Sequence, residues 1–197
     1  MNMRLLAATL IGLLTGNGLL AQGVPTRLGF GVQGGLALPS GDDLQVTAGT
    51  GLDLGLHVSW AINDFNEIRP RLDLMTFAHG HQDMATPLQQ HLDTKVQGLS
   101  LGCEYLYRFQ CSAGRWGAGA GIYFIRWSVD SINRVTVAGA GVAQVTGTSH
   151  WTREGLGLVG TYRITPHLEG EARWISSHYG YENLPARLGT LGLLWRF

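Results

Sequence analysis

The sequence predicts an all-β fold, an eight-stranded antiparallel up-and-down transmembrane β-barrel, and three observations predict it. The first is the final stretch, where Phe197, Trp195, Leu193 and Leu191 alternate with Arg196, Leu194, Gly192, Thr190 and Leu188. A period of two with one wholly apolar face describes a strand whose two sides meet different surroundings. A soluble edge strand of this kind invites aggregation, whereas a strand closing a barrel in lipid needs such a face. The second is composition: 14 basic and 14 acidic side chains, 29 Gly, and a charged fraction of 14% in 197 residues. That fraction is well below the roughly 25% usual for soluble domains. The third is the rhythm of the connections, with short turns near residues 62, 112 and 166 and longer stretches near 42, 86, 138 and 181. Short and long connections alternate when every second hairpin ends on the same side of a membrane.

Taken in order, residues 1–21 read as a signal peptide, with Arg4 ahead of an apolar run from Leu5 to Leu14 and a small residue, Ala21, at the cleavage position. Residues 22–197 read as one barrel domain, and no later run approaches the ~18 apolar residues of a spanning helix. Balanced charge gives no basic footprint, so no nucleic-acid partner is expected.

Strand one, about 27–38, sets Leu28, Phe30, Val32, Leu36 and Leu38 against Gly29, Gly31, Gln33, Gly35 and Ala37; strand two, about 48–60, sets Leu52, Leu54, Leu56, Val58 and Trp60 against Asp53, Gly55, His57 and Ser59. Strand three, about 67–77, alternates Ile68, Pro70, Leu72 and Leu74 with Glu67, Arg69, Arg71 and Asp73; Pro70 removes a ladder hydrogen bond. After a loop over about 78–94, strand four sets Leu99, Leu101, Cys103, Tyr105, Tyr107 and Phe109 against Ser100, Gly102, Glu104 and Arg108. Strand five runs from Trp116 to about Trp127 with ill-defined faces, and residues 128–149 either extend strands five and six or form a loop. Strand six, about 151–164, and strand seven, with Glu169, Glu171 and Arg173 on one face, precede a loop over about 176–186 and strand eight. No helix is expected.

This arrangement gathers Trp60, Phe109, Trp116, Tyr162, Trp195 and Phe197 at the short-turn end as an aromatic girdle. It points Asp53, Glu67, Arg69, Arg71, Asp73, Glu104, Arg163, Glu169, Glu171 and Arg173 into the lumen, together with His57, Arg153 and Arg196. Eight strands leave an interior just wide enough for side chains to fill, so near-balanced charges there imply a paired network. It is either a polar core or a narrow gated pathway. Cys103 and Cys111 flank the end of strand four, ~20 Å or more apart if the chain stays extended, beyond the ~7 Å limit for a disulfide; both are expected as free thiols.

By length, strand count, connection rhythm and final Phe197, the chain resembles the small OmpA-like and OmpX-type bacterial outer-membrane barrels. The resemblance implies location in the outer membrane, contact with its lipid, recognition of Phe197 by the barrel assembly machinery as part of the assembly signal, and an extracellular ligand for the outer loops. Proteins of this group serve as structural barrels, weak pores, adhesins or immune-evasion factors. With no domain following the barrel, peptidoglycan anchoring by that route is not expected.

Three constellations bear on chemistry. His79, His81, Asp83, His91 and Asp93 share the second loop and have the spacing of a metal site, but a loop enforces no ligand geometry. Ser176, Ser177, His178 and Glu182 resemble the lipid A deacylases, whose motif is His-x-Ser-Asn; here Ser precedes His and Tyr179-Gly180 replaces Ser and Asn, so an envelope lipid hydrolase is the more distant alternative. Trp127, Val129, Ile132, Trp151, Tyr179 and Tyr181 make either a binding surface or an outer girdle. The expectation is a non-enzymatic barrel with no catalytic, cofactor or metal residues and a structural or loop-mediated interaction role. A soluble lipocalin-like barrel, with the apolar faces turned inward, is the alternative fold.

Overall fold

The structure is a computed structural model that describes residues 27–85, 89–109, 115–137, 141–179 and 184–197. The signal-peptide reading of residues 1–21, Cys111, Tyr181 and Glu182 lie outside the described residues. Eight strands, β1 (Arg27–Ser40), β2 (Ala48–Ala61), β3 (Asn66–Ala85), β4 (Gln89–Arg108), β5 (Trp116–Val137), β6 (Gly141–Arg163), β7 (Leu168–Tyr179) and β8 (Leu184–Arg196), pair antiparallel in sequence order, and β8 closes on β1. Closure sets Leu36 opposite both Leu52 and Leu191 and leaves no free edge where the first and last strands meet. The final N–H, of Phe197, donates to Phe30 O at 2.9 Å.

Two of the short turns are built from local side-chain bonds. Asn63 Oδ1 accepts from the Phe65 and Asn66 N–H groups at 2.9 and 2.8 Å, and Thr165 Oγ1 accepts from the Leu168 N–H at 2.9 Å. Such caps let two strands reverse within a few residues.

The wall is inside-out relative to a soluble protein. Leu28, Phe30, Leu54, Leu56, Ile122, Phe124, Leu156, Leu158, Leu191 and Leu193 are exposed, while Asp53, Arg69, Asp73, Glu104 and Glu169 are fully buried. The soluble alternative required the opposite. Pro70 faces outward and leaves a local break: the β2–β3 ladder passes from His57↔Arg71 to Trp60↔Ile68 without a pair between and without a change of register. That follows from the missing proline N–H.

Three expectations are corrected. The loops placed at 78–94 and 176–186 are largely strand among the described residues; of the two readings of 128–149, the extension of the fifth and sixth strands is the one observed, β5 reaching Val137 and β6 starting at Gly141. Beyond the membrane neither face of a strand is required to be apolar, so alternation fades while backbone pairing continues. A short helix, α1 (Asp42–Thr47), stands where none was expected. Gly41, at φ 96°, turns the chain off β1, and α1 folds back into the barrel mouth with Leu44 fully buried. Gly80 admits it, since a Cβ there would run into Thr47 O, and Thr94 Oγ1 donates to that oxygen at 2.6 Å. Six residues with one apolar contact carry no readable helical period. The third correction concerns Trp127: it is buried inside the barrel and belongs to no outer surface.

Candidate functional site

The lumen is stratified. At the short-turn end two carboxylates lie among three guanidiniums. Glu67 and Glu169 each meet Arg69 (3.0 and 2.9 Å), Arg108 (3.0 and 2.8 Å) and Arg196 (3.0 and 3.1 Å). One layer deeper, Glu171 meets Arg69 at 2.7 Å, Arg71 at 2.8 Å and Arg173 at 3.0 Å, which joins the two layers. Arg71 also meets Asp73 at 3.0 Å and Glu104 at 2.8 Å and donates to Gln33. Arg173 meets Asp73 at 3.0 Å and pairs with Asp53, to which Gln33 Nε2 donates at 2.8 Å. The end layer therefore has more guanidiniums than carboxylates, and the deeper layer, with Asp53, Asp73, Glu104 and Glu171 against Arg71 and Arg173, has more carboxylates.

The inward face of β3 supplies Glu67, Arg69, Arg71 and Asp73 because successive odd residues of a strand share a side; β7 supplies Glu169, Glu171 and Arg173 by the same rule. These seven lie together with Asp53 and Glu104. Arg196 joins from β8. Arg108 joins as well, although sequence reasoning left it out of the network while placing it on the inward face of β4. Arg163 lines the mouth and meets no carboxylate among the described residues. His57 is buried with neither ring nitrogen hydrogen-bonded, and Arg153 Nη1 donates to Thr152 O at 3.2 Å.

Sequence reasoning missed Tyr123. Its hydroxyl donates to Glu104 Oε1 at 2.7 Å, and its ring lies across inward glycines: a Cβ at Gly102 would stand 2.5 Å from Cδ1 and one at Gly157 2.7 Å from Cε2. Part of the glycine content thus makes room for side chains crossing the lumen. Above Tyr123 the interior turns apolar. Met75, Phe77, Val96, Ile125, Trp127, Ile175 and Leu188 form a buried cluster closed by Leu44 of α1, with Val129 and Trp151 packed against it. The rings of Phe77 and Trp127 are 6.1 Å apart. The lumen is obstructed twice, by ions below and by hydrocarbon above.

At the short-turn end Trp116 and Tyr162 pack at 4.7 Å, Trp195 stacks on His167 at 5.9 Å, and Phe109 meets Tyr107 edge-on at 5.7 Å. Phe109, Trp116, Trp195 and Phe197 are exposed, and Trp60 and Tyr162 are half-buried. A closed ring of strands with an apolar outer belt and an ionic interior is soluble only in lipid. The chain is an eight-stranded barrel of the outer-membrane type. Barrels of this type turn their short connections to the periplasm and their longer hairpins outward.

No family model matches this barrel's sequence, and neither does any curated protein. Among solved structures it is similar to Neisserial surface protein A, at 14% identity over 88% of this chain and 98% of that one with a TM-score of 0.46. It is also similar to the attachment invasion locus protein Ail of Yersinia pestis, at 10% identity over 88% and 100% with a TM-score of 0.49. A major outer membrane protein from Thermus thermophilus is similar at 15% identity over 87% and 100%, again with a TM-score of 0.49. Such likeness concerns fold, and the assignment rests on the barrel's own polarity and closure.

The remaining constellations are dispersed or otherwise engaged. The β3–β4 register sets His81 opposite Asp93 and Asp83 opposite His91, while Asp93 is met by His91 at 3.3 Å and Arg134 at 3.5 Å. Among the described residues no group of three or more His, Cys, Asp or Glu is gathered as a metal site. Ser177 faces inward and donates to Glu154 O at 2.8 Å, whereas Ser176 and His178 lie on the opposite face of β7. Cys103 is a free thiol on the lipid side.

Proposed function

We propose that this protein is a non-enzymatic outer-membrane barrel whose interior is structural and whose projecting outer sheet engages an extracellular partner. The observation that carries the reading is an open strand edge. About ten residues suffice to cross the membrane, yet β5 and β6 remain paired from Trp116↔Tyr162 out to Val137↔Gly141. β6 pairs with β7 only from Gly155 inward, so residues 141–150 make no strand pair on that side among the described residues. From Gly141 to Thr152 this edge carries no Asp, Glu, Lys or Arg, and Val142 and Val145 are each 65% exposed. Natural sheets blunt such edges with charge or proline; an unblunted one suits addition of a strand from an extended segment of a partner. The double obstruction of the lumen favours this role over the narrow-pore alternative, and no hydrogen bond among the described residues joins Ser176 or Ser177 to His178, which leaves the lipid-hydrolase alternative without an assembled nucleophile and base.

The test is attachment of cells displaying the barrel to a panel of immobilised extracellular proteins, wild type beside Val142→Lys/Val145→Lys. Attachment by the wild type that the charged edge abolishes, with heat-modifiable gel mobility unchanged, supports the reading. Equal attachment by both contradicts it.

A further inference from the structure

The periplasmic mouth of the lumen holds a cavity of about 270 Å³, lined among others by Leu28, Ser59, Glu67, Arg108, Arg163 and Arg196. Its volume is several times the ~30 Å³ share of one water in the liquid. Four of its donor atoms lack acceptors among the described residues. Ser59 is 5% exposed and its Oγ has no hydrogen-bond partner, and the Nε atoms of Arg108, Arg163 and Arg196 are buried and equally unbonded. Each of the other arginines in the lumen network holds at least two carboxylates, whereas Arg163 holds none among the described residues. Its backbone is nonetheless fixed, the N–H donating to Arg115 O at 2.8 Å.

Buried donors left without acceptors cost free energy unless something binds them. Of the two acidic residues in the lining, Glu67 is already held by Arg69, Arg108 and Arg196, and Asp64 is exposed in the turn. The mouth therefore presents a positive layer in which a guanidinium without a carboxylate, a hydroxyl and two further guanidinium Nε atoms line one space. Arginine forks match oxyanions in a bidentate manner, and hydroxyls complete such a shell.

We propose that this cavity binds a phosphate-type oxyanion, with Arg163 as the principal ligand and Ser59 Oγ as a second donor. The site is separate from the outer edge, at the opposite end of the barrel, and stands whether or not that edge binds a partner. A free periplasmic phosphate or the phosphate of an inner-leaflet phospholipid would present the same chemistry. The second source has a route, because Leu28 borders the cavity and is 59% exposed on the lipid side.

The experiment uses the refolded full barrel in a zwitterionic detergent. It is titrated calorimetrically with inorganic phosphate to about 10 mM and, separately, with phosphatidylglycerol against phosphatidylcholine. Arg163→Gln and Ser59→Ala are compared with wild type and with Arg153→Gln, which removes the same charge from the outer half. Phosphate binding that Arg163→Gln weakens about tenfold or more, with Arg153→Gln unchanged, supports a solute site. Silence toward phosphate with a phosphatidylglycerol response lost in Arg163→Gln supports a headgroup site. Should Arg163→Gln lose heat-modifiable mobility, Arg163→Lys keeps the charge without the fork and is expected to bind several-fold more weakly. No binding of either probe by the wild type, or binding by Arg163→Gln (or by Arg163→Lys in its place) and Ser59→Ala equal to wild type, overturns the proposal.

Discussion

Replacing Arg173 by Gln tests whether the ionic half of the lumen holds the barrel together. Arg173 serves three carboxylates, but their losses differ. Asp73 keeps Arg71, and Glu171 keeps Arg69 and Arg71. Asp53 keeps only the Gln33 amide, and its Oδ1 is already without a partner. Arg173→Gln thus strands one fully buried carboxylate, and leaving one member of a buried pair uncompensated costs about 3–5 kcal/mol. Adding Asp53→Asn removes the stranded charge, so the double variant should recover more than half of that loss. With a urea slope of about 2 kcal/mol per M, the single variant's unfolding midpoint falls by roughly 1.5–2.5 M and the double's by less than about 1 M. Tryptophan fluorescence of the refolded barrel reads both, with heat-modifiable mobility as the check on folding. A single variant within ~0.5 M of wild type, or a double no better than the single, refutes the argument that Asp53 depends on Arg173.

The close approach of Tyr123 to the wall predicts that Gly102→Val, whose Cβ would stand 2.5 Å from the ring, costs about 1–3 kcal/mol by overpacking. Tyr123→Ala in the same chain should restore part of that stability, as read by urea midpoint. The lipid-side placement of Cys103 predicts that, in vesicles and in a Cys111→Ser background, a water-soluble maleimide labels it only after unfolding in hot detergent. Rapid labelling of the folded protein would place Cys103 in water.

The strands that cross the membrane were legible because the two solvents on their two sides write opposite residue types at alternate positions, as β3 and β8 show. Arg69 and Arg71 could be assigned to the interior from parity alone. β5 could not, since Ile122 and Phe124 face lipid while Tyr123 and Ile125 face an apolar part of the lumen, and a strand apolar on both sides has no period to read. The same ambiguity hid Trp127, whose aromatic character suits a surface or a core equally. Arg163 followed the parity rule into the lumen, but parity says nothing of partners, and no carboxylate among the described residues reaches it. The outward extension of β5 and β6 stayed one of two readings for a different reason: from Val142 to Thr148 both faces of the strand are exposed, so only backbone pairing, which leaves no mark in side-chain pattern, defines it. Leu44 acquires its role solely from what surrounds it in the folded mouth.

Sealing of the lumen rests on the Arg–carboxylate layers below and the cluster under α1 above. Planar-bilayer recording of the refolded protein tests it most directly. A folded barrel, confirmed by heat-modifiable mobility, is predicted to insert and remain electrically silent. A steady ion current through the wild type, altered by Arg71→Gln, would contradict the sealed lumen and make the ionic layers a gate.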